Sequence, residues 1–289
     1  MTTTNQGYIT MAIDNENSTM QVRSAYSLAC SLRLVDPNRE ICLITDKFKK
    51  VPRKYEDAFD YIVELPFGVS DVTEPNKAQN LWQLYHCTPF DESIYVNPAS
   101  IAVDNIESFW DTFGNDSVVF PSRTLNFKLE PSVYFEGRET FESNPLPNIH
   151  ADVFYFKRDE FAGDYFKMVD IAFQNWRRVF FDYIKENRPD TFDESIGFAL
   201  AAYMMGETLQ PDVDVLEYTD LSPYNVVNIG EENIANWADL VNVWFHTGNK
   251  VKINNHRQTG FFVYHDFEIM TDETTDELRK YRKAATTKV

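Results

Sequence analysis

At 289 residues, with 43% hydrophobic and 15% aromatic side chains, the chain carries enough apolar content for a large packed core, which argues against a disordered protein. Asp and Glu number 45 against 27 Lys and Arg, a formal charge of −18, and a surface of that sign opposes non-specific binding to nucleic acid or to an anionic membrane. No apolar run approaches the roughly 20 residues of a membrane span, and the opening MTTTNQGYIT lacks a basic region followed by an apolar core, so a cytoplasmic location is expected.

Tyr8–Ile13 is apolar but for Thr10 and predicts a buried first strand that stops at the polar Asp14-Asn15-Glu16-Asn17. Ser18-Thr19-Met20-Gln21 has the spacing of a capping box, after which Val22, Ala25, Leu28, Ala29 and Leu32 share one helix face until Asp36-Pro37-Asn38. Ile41–Thr45 and Tyr61–Leu65 predict further strands, with a short helix at Tyr55–Phe59 between them. Strand, helix and strand in repetition imply a parallel sheet with crossover connections. Asn76–Cys87 predicts a helix carrying Lys77 and Trp82. Cys30, Cys42 and Cys87 fall in separate elements without metal-ligand spacing, so buried free thiols are expected.

Thr88–Trp110 organises the rest. A polar turn leads into the apolar strand Ile94-Tyr95-Val96, which stops at Asn97-Pro98-Ala99-Ser100; a second apolar run, Ile101-Ala102-Val103, comes next. Ligands of open α/β sheets sit beyond the carboxyl ends of the strands, so chemistry is expected at residues 97–100. Ser117–Phe120 and Ala151–Phe156 predict strands, and the irregular 121–148 between them is long enough to be functional. Asp159–Asn187 has helical periodicity with a break expected near Gly163, and its apolar stripe reads as core. Asp190-Thr191-Phe192-Asp193-Glu194 opens the apolar helix Ile196–Met205, where acidic residues also suit the helix dipole. Short strands are expected at 213–216, 224–227 and 243–245, and helical turns at 234–240. Lys252–Gly260 reads as a polar loop, Phe261–Tyr264 as a strand ending at His265-Asp266, and Asp272–Lys283 as a terminal helix.

Strand, short motif, apolar run and Asn-Ile at 94–106 resemble the centre of the glycogenin-like, retaining glycosyltransferases of GT-A fold. The resemblance implies one α/β domain over 1–270, with a central mostly parallel sheet flanked by helices, a nucleotide-binding half at 7–110, an acceptor half at 111–270, and a terminal helix and tail at 271–289. It implies a nucleotide-sugar donor, a UDP-sugar first, with Mn²⁺ or Mg²⁺ held by Asp-x-Asp and a late His. The matching positions here are Asn97, Ala99 and His265. It also places Tyr8, Ala12, Ile13 and Asp14 against base and ribose, Lys77 towards phosphate and sugar, and Asp190, Asp193 and Glu194 on the family's Asp-x-x-Asp-Gln motif beside sugar and acceptor. The family's Asn-Ser-Gly lead-in to the later strand matches His150-Ala151-Asp152 in position only. TPFDESIYV further resembles glycosyltransferase-like proteins of tailed bacteriophages, which implies a phage or bacterial cell and acceptors such as a glycan, a protein or a modified nucleobase.

A hard divalent ion favours anionic oxygens; Asn97 offers one neutral carbonyl and Ala99 nothing, so an impaired metal site is expected. Cations can stabilise phosphate in its place, and Lys77, Lys252 and Arg257 are the candidates. No Gly-rich phosphate loop or Gly-x-Ser-x-Gly is present, and no pair among His86, His150, His246, His256 and His265 has helical metal spacing. Three readings stay open: a transferase with a metal-independent site, a transferase-like binding protein without catalysis, and a family member whose two aspartates have been replaced deliberately.

Overall fold

The structure is a computed structural model that describes residues 5–14, 18–69, 77–104, 106–113, 116–132, 138–207, 209, 218–222, 242–246 and 250–286. Four strands run parallel: β1 (Gln6–Ala12), β2 (Glu40–Thr45), β3 (Tyr61–Glu64) and β4 (Glu92–Val96). In β1, β2 and β4 every residue after the first is buried, which explains their largely apolar runs: both faces of a central parallel strand are covered. β5 (Ser100–Asp104) leaves the sheet, and β6 (Val118–Val119) and β7 (Val153–Lys157) complete it in the order β3-β2-β1-β4-β7-β6, with β7 antiparallel to both of its neighbours. This is the expected α/β class, a mostly parallel sheet flanked by helices. The chain leaves β1 for β2 on one side, yet β4 lies on the other, so the strand order reverses between β1 and β4.

Alternate residues of the sheet feed two cores. Tyr8, Ala12, Ile94, Val96 and Tyr155 pack on the side of α1 (Met20–Val35) and the C-terminal helix Asp272–Thr286. Ile9, Met11, Tyr95, Phe154 and Phe156 pack on the other side, against α5 (Glu160–Gln174), α6 (Trp176–Tyr183) and α7 (Glu194–Met205). The intervening short helices are α2 (Leu84–Cys87), α3 (Ser108–Thr112) and α4 (Glu139–Ser143). Two small sheets complete the described fold. One holds β5, β12 (Gly260–Val263) and β8 (Tyr218–Asp220); the other holds β9 (Val243–His246), β10 (Lys250–Ile253) and β11 (His256–Arg257).

Several expectations change. The cap of α1 is not the predicted box: Asp14 reaches over from the end of β1, its carboxylate accepting from the backbone N–H groups of Gln21 (3.0 Å) and Val22 (2.9 Å), while Gln21 accepts from Ile13 N–H. A carboxylate at a helix start gains from the dipole as well as from the hydrogen bonds. The helix expected over 76–87 is present across the described Lys77–Cys87, 3₁₀ over Lys77–Gln83 and α over α2; Gln83 clamps the loop before it through Gly68 O and Phe67 N–H. The break in 159–187 falls at Asn175, not Gly163. There the side-chain amide donates to Ile171 O and competes with the helix ladder. Lys252–Gly260 is not a loop, since most of it lies in the hairpin of β10 and β11, turning at Asn254 with φ +52°. The elements expected at 213–216, 224–227 and 234–240 lie outside the described residues. The three cysteines are buried free thiols. Among the described residues no helix is long and apolar enough to cross a membrane.

The C-terminal helix is tied to α1 and its neighbours by Arg282, which donates to the carbonyl and the carboxylate of Asp57, itself an acceptor from Tyr26. Desolvation alone would raise the Asp57 carboxyl, but these hydrogen bonds outweigh it and hold the group below its ordinary value. Arg282→Met is therefore expected to cost roughly 1.5–3 kcal/mol in thermal unfolding at neutral pH. A depressed folded pKa means the carboxylate's part of the stabilisation is complete above the unfolded value and lost as pH falls through the folded one, so the gap to wild type should narrow below about pH 4, leaving the part due to the Asp57 carbonyl.

Candidate functional site

The site grows from strand pairing. β4 ends at Val96 opposite Val153, and the antiparallel ladder continues one step, so Asn97 N–H donates to Asp152 O (2.7 Å). That register sets the Asn97 and Asp152 side chains together, with Nδ2 donating to Asp152 Oδ1 at 2.6 Å. The other Asp152 oxygen accepts from the buried Tyr218 hydroxyl at 3.0 Å. Asn97 Oδ1 accepts from Ala99 N–H at 2.9 Å. From below, β12 pairs with β5 and β8, and Tyr264 N–H donates to Ala99 O, which brings His265 to the same rim; its Nε2 lies 2.7 Å from Asp220 Oδ1. His265 adopts φ +52°, a left-handed conformation uncommon outside glycine and typical of constrained sites. The fourth wall is the start of α7. Asp193 caps it by accepting from Ile196 N–H (2.9 Å), and Ser195 Oγ accepts from Ala151 N–H, which anchors this turn to the approach of β7.

Between these walls lies a cleft of about 170 Å³, lined by Met11 and Ile13 from β1, Tyr95, Asn97 and Pro98 from β4, and Asp152 and Glu194 among others. It opens where the strand order reverses between β1 and β4, the crevice in which open α/β sheets bind ligands. Its volume is below the roughly 300 Å³ of a whole-ligand pocket, so the described walls suit the reacting end of a ligand.

The electrostatics are dominated by acid. Burial pushes the Glu194 carboxyl up, the charges of Asp193 and Asp152 reinforce this, and it reaches about 7. Desolvation likewise raises Asp193. Desolvation opposes charge on His265, but the carboxylates of Asp152, Asp220 and Glu194 outweigh it and carry the imidazole up to about 9. Arg138 sits on the inner side of the same acids. Burial lowers its guanidinium to about 10 against their pull, leaving it cationic at neutral pH. It donates to Ile149 O (2.6 Å) and to Asn148 Oδ1, and its Nε has no hydrogen-bond partner among the described residues.

Of the residues expected from sequence, the cleft gathers Ile13, Asn97 and Glu194, with Asp193 and His265 at its edge. Asp14 lies beside it, spent on capping α1. Tyr8 and Ala12 are buried in the core, Tyr8 donating to Asp36 near the opposite end of its strand. Ala99 is buried as well. Asp190 is exposed and lines nothing here. Lys77 opens the 3₁₀ segment, and its side chain lies outside the described residues. Lys252 is exposed on β10, and Arg257 pairs with Asp104 at 3.0 Å. Asp104 is four residues along β5 from Ser100, about 13 Å away from the cleft end of that strand. Sequence reasoning misses Arg138, Tyr218 and Asp220, none of which carries a local motif.

A divalent ion does not fit these residues. The Asn97 side chain turns its amide nitrogen, which cannot ligate a cation, to Asp152 at 2.6 Å, Ala99 supplies no ligand, and His265 Nε2 faces Asp220 at 2.7 Å. Among the described residues no group of three or more His, Cys, Asp or Glu side chains could hold a metal.

No protein-family model matches the chain, and no curated protein matches it. Among solved structures it is similar to the galactosyltransferase LgtC in complex with donor and acceptor sugar analogues, with a TM-score of 0.45 at 10% identity over 81% of this chain and 94% of that one. Mouse xyloside xylosyltransferase 1 gives 0.46 at 11% identity over 72% and 84%, and the bifunctional glycosyltransferase WbbM 0.46 at 7% over 96% and 52%. Likeness at this level assigns neither substrate nor chemistry to this chain.

Proposed function

We propose that this protein transfers a sugar from a nucleotide-sugar, a UDP-sugar first, to an acceptor, with retention of configuration and without the metal site of the family it resembles. The observation that carries this reading is the cleft at the strand-order reversal, which joins the end of β4 to Asp152 and Glu194. In the proposed step the bond between the anomeric carbon and the phosphate oxygen breaks and its electron pair leaves with the diphosphate. The acceptor oxygen bonds to the same carbon and its proton passes to Glu194. The test is a calorimetric titration of UDP and UDP-sugars into wild type and into Ala151→Trp, which fills the cleft. Saturable binding by wild type that the variant loses is expected; no binding, or binding the variant keeps, contradicts the reading.

A second reading, a saccharide-binding protein without catalysis, draws on the lining itself, whose only charged residues among those described are the acids Asp152 and Glu194. Carboxylates accept well from sugar hydroxyls and repel phosphate. Binding of free saccharides with none of UDP would favour it.

A further inference from the structure

We propose that a hydrogen-bonded clasp of Asn97, Asp152 and Tyr218, and no divalent ion, holds the end of β4 to the start of β7, so that the cleft is free of metal. That the cleft serves a transferase rests on the reading above, but the clasp is tested separately from it. Three oxygens at the end of β4 and the start of β7 could serve a hard cation: Asn97 Oδ1 and the two carboxylate oxygens of Asp152. Each accepts a hydrogen bond, from Ala99 N–H at 2.9 Å, from Asn97 Nδ2 at 2.6 Å and from Tyr218 OH at 3.0 Å, and because it is the Asn97 nitrogen that faces Asp152 at 2.6 Å, no ion fits between the two side chains while that bond holds. The amide has one workable orientation. With the nitrogen towards Asp152 it meets a carboxylate and its oxygen meets an N–H, whereas the flipped amide would set acceptor against acceptor and donor against donor.

The clasp therefore depends on one atom. Asparagine and aspartate have the same size, but a carboxylate at position 97 offers Asp152 no donor, and two carboxylates at hydrogen-bond distance need a shared proton or a cation between them. The native chain meets that need with an amide.

The experiment uses Mn²⁺ alone, read by the electron paramagnetic resonance of the free ion and by thermal unfolding in EDTA and in MnCl₂. Wild type should leave the free Mn²⁺ signal intact and unfold at one temperature in both buffers. Asn97→Asp should melt lower in EDTA, by about 5 °C or more, and recover in MnCl₂ as the ion binds the folded form. The exchanged pair Asn97→Asp with Asp152→Asn puts donor and acceptor back in opposite places, and it should regain wild-type melting without metal. Tight Mn²⁺ binding by wild type overturns the proposal, and so does an exchanged pair no more stable than Asn97→Asp alone. These readouts involve no nucleotide, so failure to bind UDP would refute the transferase reading and leave them standing.

Discussion

Glu194→Gln is expected to slow sugar transfer by about 100- to 10,000-fold, the usual contribution of a general acid or base, and at the same time to raise the melting temperature at pH 8. Both effects come from one placement. Glu194 is the first residue of α7 and a wall of the cleft, where burial and then the neighbouring charges of Asp193 and Asp152 push its carboxyl up to about 7. A carboxyl poised there can take and return a proton near neutrality. Glutamine keeps the shape and can do neither. The stability sign comes from linkage. Between the unfolded value of about 4.3 and the folded value, the native state holds a proton that the unfolded chain has lost, so wild-type stability falls as pH rises through this window. The variant escapes that loss, and its advantage should be full above pH 7 and absent near pH 4. Initial rates and melting curves at both ends of the range check it; undiminished transfer, or a lower melting temperature at pH 8, contradicts the assignment.

Phe154→Ala should have the largest effect on stability, about 3–5 kcal/mol, the range for deleting a core aromatic ring. Phe154 is completely buried in β7, with ring centroids of Phe120 at 4.6 Å, Tyr95 at 5.0 Å and Phe198 at 5.2 Å. Those contacts join β4, β7 and α7, the three elements that carry Tyr95, Asp152 and Glu194 to the cleft. For a chain of this size the loss amounts to a fall in melting temperature of about 5–8 °C. The variant should also bind ligand more weakly, since the wall behind the cleft gains a void. Chemical denaturation with a loss under about 1 kcal/mol would show that the cluster is not the joint described.

How far the sequence reveals this depends on whether a feature is local. β1, β2 and β4 are legible because strands covered on both faces are mostly apolar along their length, their buried polar residues being small hydroxyl side chains such as Thr10 and Ser93. The turn at Asn97 and the acidic start of α7 are legible because each ends or opens a periodic segment. The partners are not. Asn97 meets Asp152 across 55 residues and His265 meets Asp220 across 45, both through strand pairing that no window of sequence contains. Arg138 belongs to an irregular stretch whose short helix α4 gives no periodic signal. That Lys252–Gly260 holds a hairpin and not the expected loop is hidden for a related reason. Buried Val251 and Ile253 alternate with exposed Lys252 over too few residues to separate a hairpin strand from a polar loop, and the ion pair of Arg257 with Asp104 fixes that hairpin at the far end of β5. Asp14 shows the opposite case, a residue in the expected place whose carboxylate is already committed to the helix beside it.

A crystal of the native protein soaked with a UDP-sugar in EDTA tests the central claim most directly. Density is expected between the ends of β1 and β4, with the sugar against Glu194 and Asp152 and the Asn97 amide still bonded to Asp152. Density elsewhere, an empty cleft at saturating ligand, or a ligand that enters only when Mn²⁺ is supplied and bound would contradict it.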